Sequence, residues 1–386
     1  MSKNVLLLLN RISYPFIGGD KVKSIKFIEL LAKHYNLHLV IISNERINKE
    51  TVEFFKKNNV RYKYFYKNKI RCALNTFLSL FNKLPLQVNY YYFKDVQNYV
   101  DIILKESQMA FATLIRTAKY LEKAEMPCYL DAVDSLALNY QNAKQKSSLP
   151  LWRILYRFEQ RLLFKYEQRC IEHFSKTFFV NKYEAEYWSA HGKTVWIPNG
   201  VNESLFNYKK QDNSLQNSLA FFGKMSYPPN VDAVLWFLKY VFTRLDKEIR
   251  FQIVGGNPVK RIRNSEGERI KITGFLDDPY LILKSTFAVV APMQIGGGIQ
   301  NKVLEAMALG QVVITTPKAA KPIIGAINGQ HLLIGKHPDE FVQLINDLYR
   351  NRSKYQDIGN NAKRLIQESY TWDKYEEKLL NAIQDE

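Results

Sequence analysis

The chain has 386 residues, 46% of them hydrophobic and 24% charged, enough to bury more than one core, so two domains are expected. Only 17 Gly and 13 Pro are present and no internal repeat is visible, which excludes collagen-like, low-complexity and solenoid architectures. The net charge of +18 is uneven: residues 1–195 hold 31 Lys and Arg against 17 Asp and Glu, a net +14, and residues 196–386 hold 24 against 20, a net +4. A basic balance suits nucleic acid, an anionic membrane surface or phosphorylated substrates. No helix-turn-helix, zinc-finger or RNA-recognition signature is present, so nucleic acid is set aside. Cys72, Cys128 and Cys170 are far apart and odd in number; they offer neither metal spacing nor a disulfide framework and fit a reducing, cytoplasmic setting.

Val5–Leu9 is an apolar run of buried-strand length, too short for a signal-peptide core. No segment approaches the roughly 18 apolar residues of a membrane span. A loop with Pro15 and Gly18-Gly19 follows, then a helix over Val22–Ala32 and a second strand over Leu37–Ile42. Arg61–Tyr66, Ala110–Ile115 and Cys128–Asp131 are further strands. Apolar strands separated by helices predict a parallel, doubly wound sheet. Asp131 and Asp134 fall at the end of one such strand and Arg116 just beyond another, where a ligand could be held; helix capping would equally explain the two aspartates. The aromatic run 90–93 serves either core packing or stacking on sugar rings.

Leu151–Cys170 reads as one long helix. Arg153, Arg157, Arg161, Lys165 and Arg169 recur every fourth residue as a basic ridge, and Glu159 and Glu167 are not placed to neutralise it. The ridge is either a solvated face or a contact for anionic lipid heads and acceptor phosphates, which would make the protein peripheral on the inner face of the plasma membrane. Strands over Thr177–Val180 and Thr194–Ile197 lead to Pro198-Asn199-Gly200-Val201-Asn202, a turn cluster suited to a hinge, and the polar stretch Lys209–Ser218 reads as a linker.

The second half repeats the alternation. Strands over Leu219–Phe222, Arg250–Val254, Ile270–Thr273, Phe287–Ala291 and Val312–Thr315 are each followed, or nearly so, by a turn or helix start, and Pro228-Pro229 opens a helix reaching Phe242. Gly223-Lys224, Gly255-Gly256, Gly274-Phe275 and Gly296-Gly297-Gly298 all lie at or near strand ends. The last of these leads into Ile299-Gln300-Asn301-Lys302 and a helix carrying Glu305. Glycines admit a ligand to the backbone, a helix start offers N–H groups and a positive dipole end, and an ionised Glu305 can accept two hydroxyls. A nucleotide diphosphate is the ligand such a set would take. Asp277-Asp278 read as a helix start, and no Asp-x-Asp metal motif occupies a suitable loop.

Phe222-Gly223-Lys224, Val254-Gly255-Gly256, Thr273-Gly274-Phe275 and the run from Gly296 to Gly310 resemble, in order and spacing, the C-terminal domain of the family-4 glycosyltransferases. Gly18-Gly19 and Pro198-Asn199-Gly200-Val201 match as well, and the likeness is to the bacterial branch that builds surface polysaccharides. The resemblance implies an α/β GT-B fold, with two Rossmann-like doubly wound domains facing across a cleft. Residues 1–198 would bind the acceptor, residues 199–370 the nucleotide-sugar donor, and a last helix within 371–386 would pack back on the first domain. The resemblance implies that Glu305 binds the ribose, and that Lys224, helped by Lys302, neutralises the diphosphate. Gly298, Ile299 and Gln300 would offer backbone amides, Phe275 would contact the base, and Gly18 and Gly19 would let the first loop approach. Gly223 and Gly297 border this site, and Gln300 or Asn301 would hold the donor sugar. The reaction implied is sugar transfer with retention, the leaving phosphate taking the acceptor proton, without a cofactor or divalent metal.

Two positions depart from the pattern. The first of the family's two glutamates, eight residues before Glu305, falls on Gly297, and the second lysine after the Gly-basic pair is absent from Ser226-Tyr227-Pro228-Pro229. A non-catalytic partner that binds nucleotide-sugar or glycan is therefore an alternative to the transferase. Another GT-B enzyme, such as a nucleotide-sugar 2-epimerase, is a third reading.

Overall fold

The structure is a computed structural model that describes residues 3–10, 19–144, 150–295 and 298–384. It divides into two units, residues 1–197 with 379–386, and residues 198–378.

The first unit is built on a seven-stranded parallel sheet. Its strands are β1 (Asn4–Leu9), β2 (Asn36–Ser43), β3 (Arg61–Tyr66), β4 (Met109–Thr113), β5 (Cys128–Val133), β6 (Lys176–Phe179) and β7 (Thr194–Trp196). Their spatial order is β3-β2-β1-β4-β5-β6-β7. Strands β1, β2, β4 and β5 are almost wholly buried, which is why they appear as unbroken apolar runs and not as alternating ones. β3, at the edge of the sheet, exposes Arg61, Tyr62, Lys63 and Tyr66, while Phe65 packs on the core. Between β3 and β4 lie four helices, Lys69–Thr76, Ser79–Asn82, Leu86–Tyr91 and Lys94–Leu104, a region where sequence reading assigned only the aromatic run.

The second unit has a six-stranded parallel sheet: β8 (Ser218–Phe222), β9 (Arg250–Val254), β10 (Ile270–Gly274), β11 (Ala288–Ala291), β12 (Val313–Thr315) and β13 (Leu333–Ile334). The order β10-β9-β8-β11-β12-β13 repeats that of the first unit. In each sheet the winding reverses at one point, between β1 and β4 and between β8 and β11. Ligands of doubly wound sheets gather beyond the carboxyl ends of strands at such points. The polar stretch 209–218 lies inside the second unit and is not a linker between units. The backbone N–H of Asp212 within it donates to Ser285 Oγ at 2.7 Å.

The last helix, Trp372–Gln384, starts in the second unit and ends in the first. Its final turns are tied to two strands of the first sheet. Lys176 Nζ on β6 donates to the Ala382 carbonyl at 2.7 Å, and the Tyr129 hydroxyl on β5 reaches the Ile383 carbonyl at 3.4 Å.

Candidate functional site

The carboxyl ends of β8, β9 and β10 are joined by backbone hydrogen bonds. The N–H of Gly223 donates to the Val254 carbonyl at 3.0 Å, that of Gly255 to the Gly274 carbonyl at 3.1 Å, and that of Met225 to the Gly256 carbonyl at 2.9 Å. Gly223 and Gly255 have φ of +150° and +145°, a region that side-chain-bearing residues rarely adopt. A Cβ on Gly255 would stand 1.8 Å from the Gly223 carbonyl oxygen. The glycines are there so that three strand ends can close into one floor. Phe275, directly after Gly274, is 56% exposed at the rim, beside Gly256.

Lys302 and Glu305 stand on the helix Asn301–Ala308, whose apolar side (Val303, Leu304, Ala306, Met307) is buried and fixes the direction of the other face. Among the described residues no side chain caps this helix; the Val303 and Leu304 N–H groups bond to the Gln300 carbonyl. Gln300 Nε2 instead closes back on the Gly298 carbonyl at 3.1 Å, and half-buried Ile299 packs against the helix's core. Asn301 Oδ1 accepts from Asn199 Nδ2 at 3.1 Å.

Lys302 turns beneath the glycine floor. Its ammonium donates to Asn230 Oδ1, approaches Met293 Sδ at 3.7 Å, and lies 4.8 Å from the centre of the Phe221 ring. Burial pulls its pKa down to about 7, against the opposing pull of Glu305. Burial likewise pushes Glu305 up to about 7, while Lys302 and the Tyr280 phenol beside it pull the other way. Two neighbouring ionisable groups destabilised by burial mark this helix start as a candidate site. Lys224 is different: it is exposed, and among the described residues its ammonium has no ion pair or hydrogen bond.

Sequence reading missed Asn230, Tyr280 and Asn199. Asn230 is buried, accepts from Lys302 and donates through Nδ2 to the Lys224 carbonyl at 2.9 Å, so it fixes both lysines at once. Its one sequence signal is its place directly after Pro228-Pro229 in the first turn of the helix Pro228–Tyr240. Asn199 is buried, and among the described residues its Oδ1 has no partner. Asp277-Asp278 do not cap a helix: Pro279 precedes the helix Tyr280–Ser285, and Asp278 accepts from the Tyr208 hydroxyl at 2.8 Å and pairs with Lys210 at 3.4 Å. Among the described residues no cluster of His, Cys, Asp and Glu has the geometry of a metal site.

In the first unit, Asp131 forms a buried ion pair with Lys23 at 2.6 Å. Asp134 is close by, its pKa raised by burial and by Asp131 and lowered by Lys23. Leu114 and Val133, at the carboxyl ends of β4 and β5, have φ of 57° and 65°. For a β-branched valine that is a strained conformation, and strain at adjacent strand ends marks functional sites. Arg116 holds Gln87 Oε1 through Nε and Nη2 at 3.0 and 2.7 Å. Tyr91 and Phe93 are buried, so the aromatic run is chiefly core.

The helix Pro150–His173 turns Glu159 and Glu167 inward, away from its cations. Glu159 accepts from the Leu86 N–H at 2.8 Å and so starts one helix. Glu167 accepts from Ser135 Oγ at 2.5 Å and the Leu136 N–H at 2.7 Å and starts another, while burial pushes its pKa up to about 7. Arg157, Arg161, Lys165 and Arg169 are exposed and, among the described residues, unpaired. Gly18 and Gly297, and the side chain of Arg153, lie outside the described residues; Gly19 opens the helix Gly19–His34. Among the described residues no helix is long and apolar enough to cross a membrane.

Residues 216–351 match the family model described as Glycosyl transferases group 1. An uncharacterized 44.6 kDa protein in the cps region of Klebsiella pneumoniae is 24% identical over 376 residues, covering 92% of this chain and 94% of that one. Anabaena HepE, solved in complex with UDP and glucose, superposes with a TM-score of 0.69 at 12% identity over 100% of both chains. WaaG, a glycosyltransferase involved in lipopolysaccharide biosynthesis, superposes with a TM-score of 0.68 at 13% identity, over 99% of this chain and 100% of that one. This chain thus has the GT-B fold, and residues 216–351 of its second unit are similar to the group 1 glycosyl transferases.

Proposed function

We propose that the second unit binds a nucleotide-diphosphate sugar and that the chain transfers the sugar, with retention, to a hydroxyl of a glycan or lipid-linked glycan in surface-polysaccharide synthesis. The observation that carries the reading is the set of Lys224, Lys302 and Glu305 around the glycine floor at the end of β8. Glu305 would take the ribose hydroxyls. As the sugar leaves, charge grows on the diphosphate oxygens; Lys224, Lys302 and the start of the helix Asn301–Ala308 would stabilise that charge, and such preorganised electrostatics is usually the largest catalytic contribution. Fixed cations of this kind serve the role that a divalent metal serves elsewhere. The acceptor would be held in the first unit, by Asp131, Asp134 and Arg116. The cps-region relative supports the polysaccharide setting.

Gly297, standing where the family has its first glutamate, favours a second reading: a partner that binds nucleotide-sugar without turning it over. One experiment separates the two. The protein is incubated with UDP-, GDP- and ADP-sugars and a lipid-diphosphate-linked glycan, with and without EDTA, and nucleoside diphosphate and product anomer are followed by NMR. The transferase reading expects release that EDTA leaves unchanged and a product with the donor's anomeric configuration. Inversion or loss of activity with EDTA would overturn the mechanism, and binding without release would favour the non-catalytic reading.

A further inference from the structure

Two short helices of the first unit, Lys69–Thr76 and Ser79–Asn82, present their apolar side outward. Cys72 and Ser79 are buried, whereas Ile70, Leu74, Phe77, Leu78, Leu80 and Phe81 are exposed, Phe81 at 83%. Ile70, Leu74, Phe77, Leu78 and Phe81 follow the i, i+4, i+7, i+8, i+11 spacing of a single helical face. In a soluble domain such a face ordinarily covers a core, and a contiguous apolar patch left outside marks an interaction surface.

The face is built to stay where it is. Asn68 accepts from the Ile70 N–H at 2.8 Å and starts the first helix, Asn75 Nδ2 donates to the Tyr92 carbonyl at 2.9 Å, and Asn89 Nδ2 donates to Ser79 Oγ at 2.7 Å. Its charge is one-sided. Residues 54–94 contain nine Lys and Arg and no Asp or Glu. Lys67 is held by Asp95 at 2.5 Å, but Lys69, Arg71 and Lys83, which border the apolar face, are exposed and among the described residues have no ion pair.

We propose that this face docks on an anionic lipid bilayer, with Leu74, Phe77, Leu80 and Phe81 entering the headgroup–acyl boundary and Lys69, Arg71 and Lys83 meeting lipid phosphates. Large apolar side chains ringed by cations, with no carboxylate within the segment, suit a fluid anionic surface. The ridge on the helix Pro150–His173 offers charge alone; this face adds apolar insertion. The inference does not depend on the donor chemistry of the second unit.

The test is sedimentation of the full chain with vesicles of phosphatidylcholine, and of phosphatidylcholine mixed with phosphatidylglycerol, at low and high salt. The wild type is expected to bind the anionic vesicles and to keep part of that binding at high salt. Phe77→Ser with Phe81→Ser is expected to weaken it roughly tenfold or more, with the salt-resistant part lost, and to leave the melting temperature unchanged because both side chains are exposed. Phe81→Trp is expected to blue-shift in emission on anionic vesicles and to be quenched by brominated lipid. Absence of wild-type binding at low salt, or equal binding by the double variant, would overturn the proposal. So would a dimer dissolved by the double substitution with vesicle binding intact, since that would assign the face to a second copy of the chain.

Discussion

Gly255→Ala is expected to abolish nucleotide binding by unfolding the second unit. The methyl group would stand 1.8 Å from the Gly223 carbonyl oxygen, which is backbone and cannot rotate aside. The substitution also places a side chain at φ +145°. Strain of each kind costs about 1–3 kcal/mol, and together about 2–6 kcal/mol, reaching the severe end of point substitutions. Retreat of either strand end would break the hydrogen bonds from Gly223 to Val254 and from Gly255 to Gly274. Gly267→Ala is the matched control, because a Cβ there meets nothing within 4 Å and no positive φ is required. Thermal melts followed by circular dichroism, with refolding, should show a large loss for Gly255→Ala and little change for Gly267→Ala. Equal melts for both would mean that the glycine floor is not closed as described.

Glu305→Ala is expected to weaken nucleotide-sugar binding by roughly 1.5–3 kcal/mol, the value of losing a charge-assisted hydrogen-bond acceptor. Its pH dependence is the sharper signature. Glu305, raised to about 7, accepts ribose hydroxyls as a carboxylate and so acts above that pH. Lys302, lowered to about 7, attracts phosphate as an ammonium and so acts below it. A nucleotide-sugar is esterified at both ends of its diphosphate and keeps its charge throughout this range. Affinity should therefore peak near neutrality and fall on both sides. Glu305→Gln should remove the acidic limb and spare the alkaline one, and Lys302→Met should do the reverse. Calorimetric titrations across the range check this; a profile unchanged by both substitutions would remove these groups from the donor site.

The fold was legible because buried parallel strands are apolar runs and the two halves repeat one alternation. β9 is Arg250–Val254 in the structure as in the sequence reading. The four helices between β3 and β4 went unassigned although Ile70, Leu74, Phe77, Leu78 and Phe81 carry helical spacing, and that spacing does not tell that the face points outward, which tertiary placement decides. The stretch 209–218 looked like a linker because polarity reports a surface position and not a boundary. At the site, the glycines could be read because a close backbone approach demands that residue type. The orientation of Lys302 could not, because it is set by Asn230, 72 residues earlier in the chain. Nor did the spacing of Glu159 and Glu167 show that they cap helices elsewhere in the first unit, a role fixed by tertiary contact.

The most direct measurement is a calorimetric titration of UDP-, GDP- and ADP-sugars into the wild type and Lys224→Ala, each followed by an assay for slow donor hydrolysis. Lys224 is exposed, so its loss should leave the fold intact and report on phosphate alone. One nucleotide series is expected to bind, with binding and hydrolysis that survive EDTA and that both weaken in Lys224→Ala. No binding by any series, or equal binding by wild type and Lys224→Ala, would contradict it.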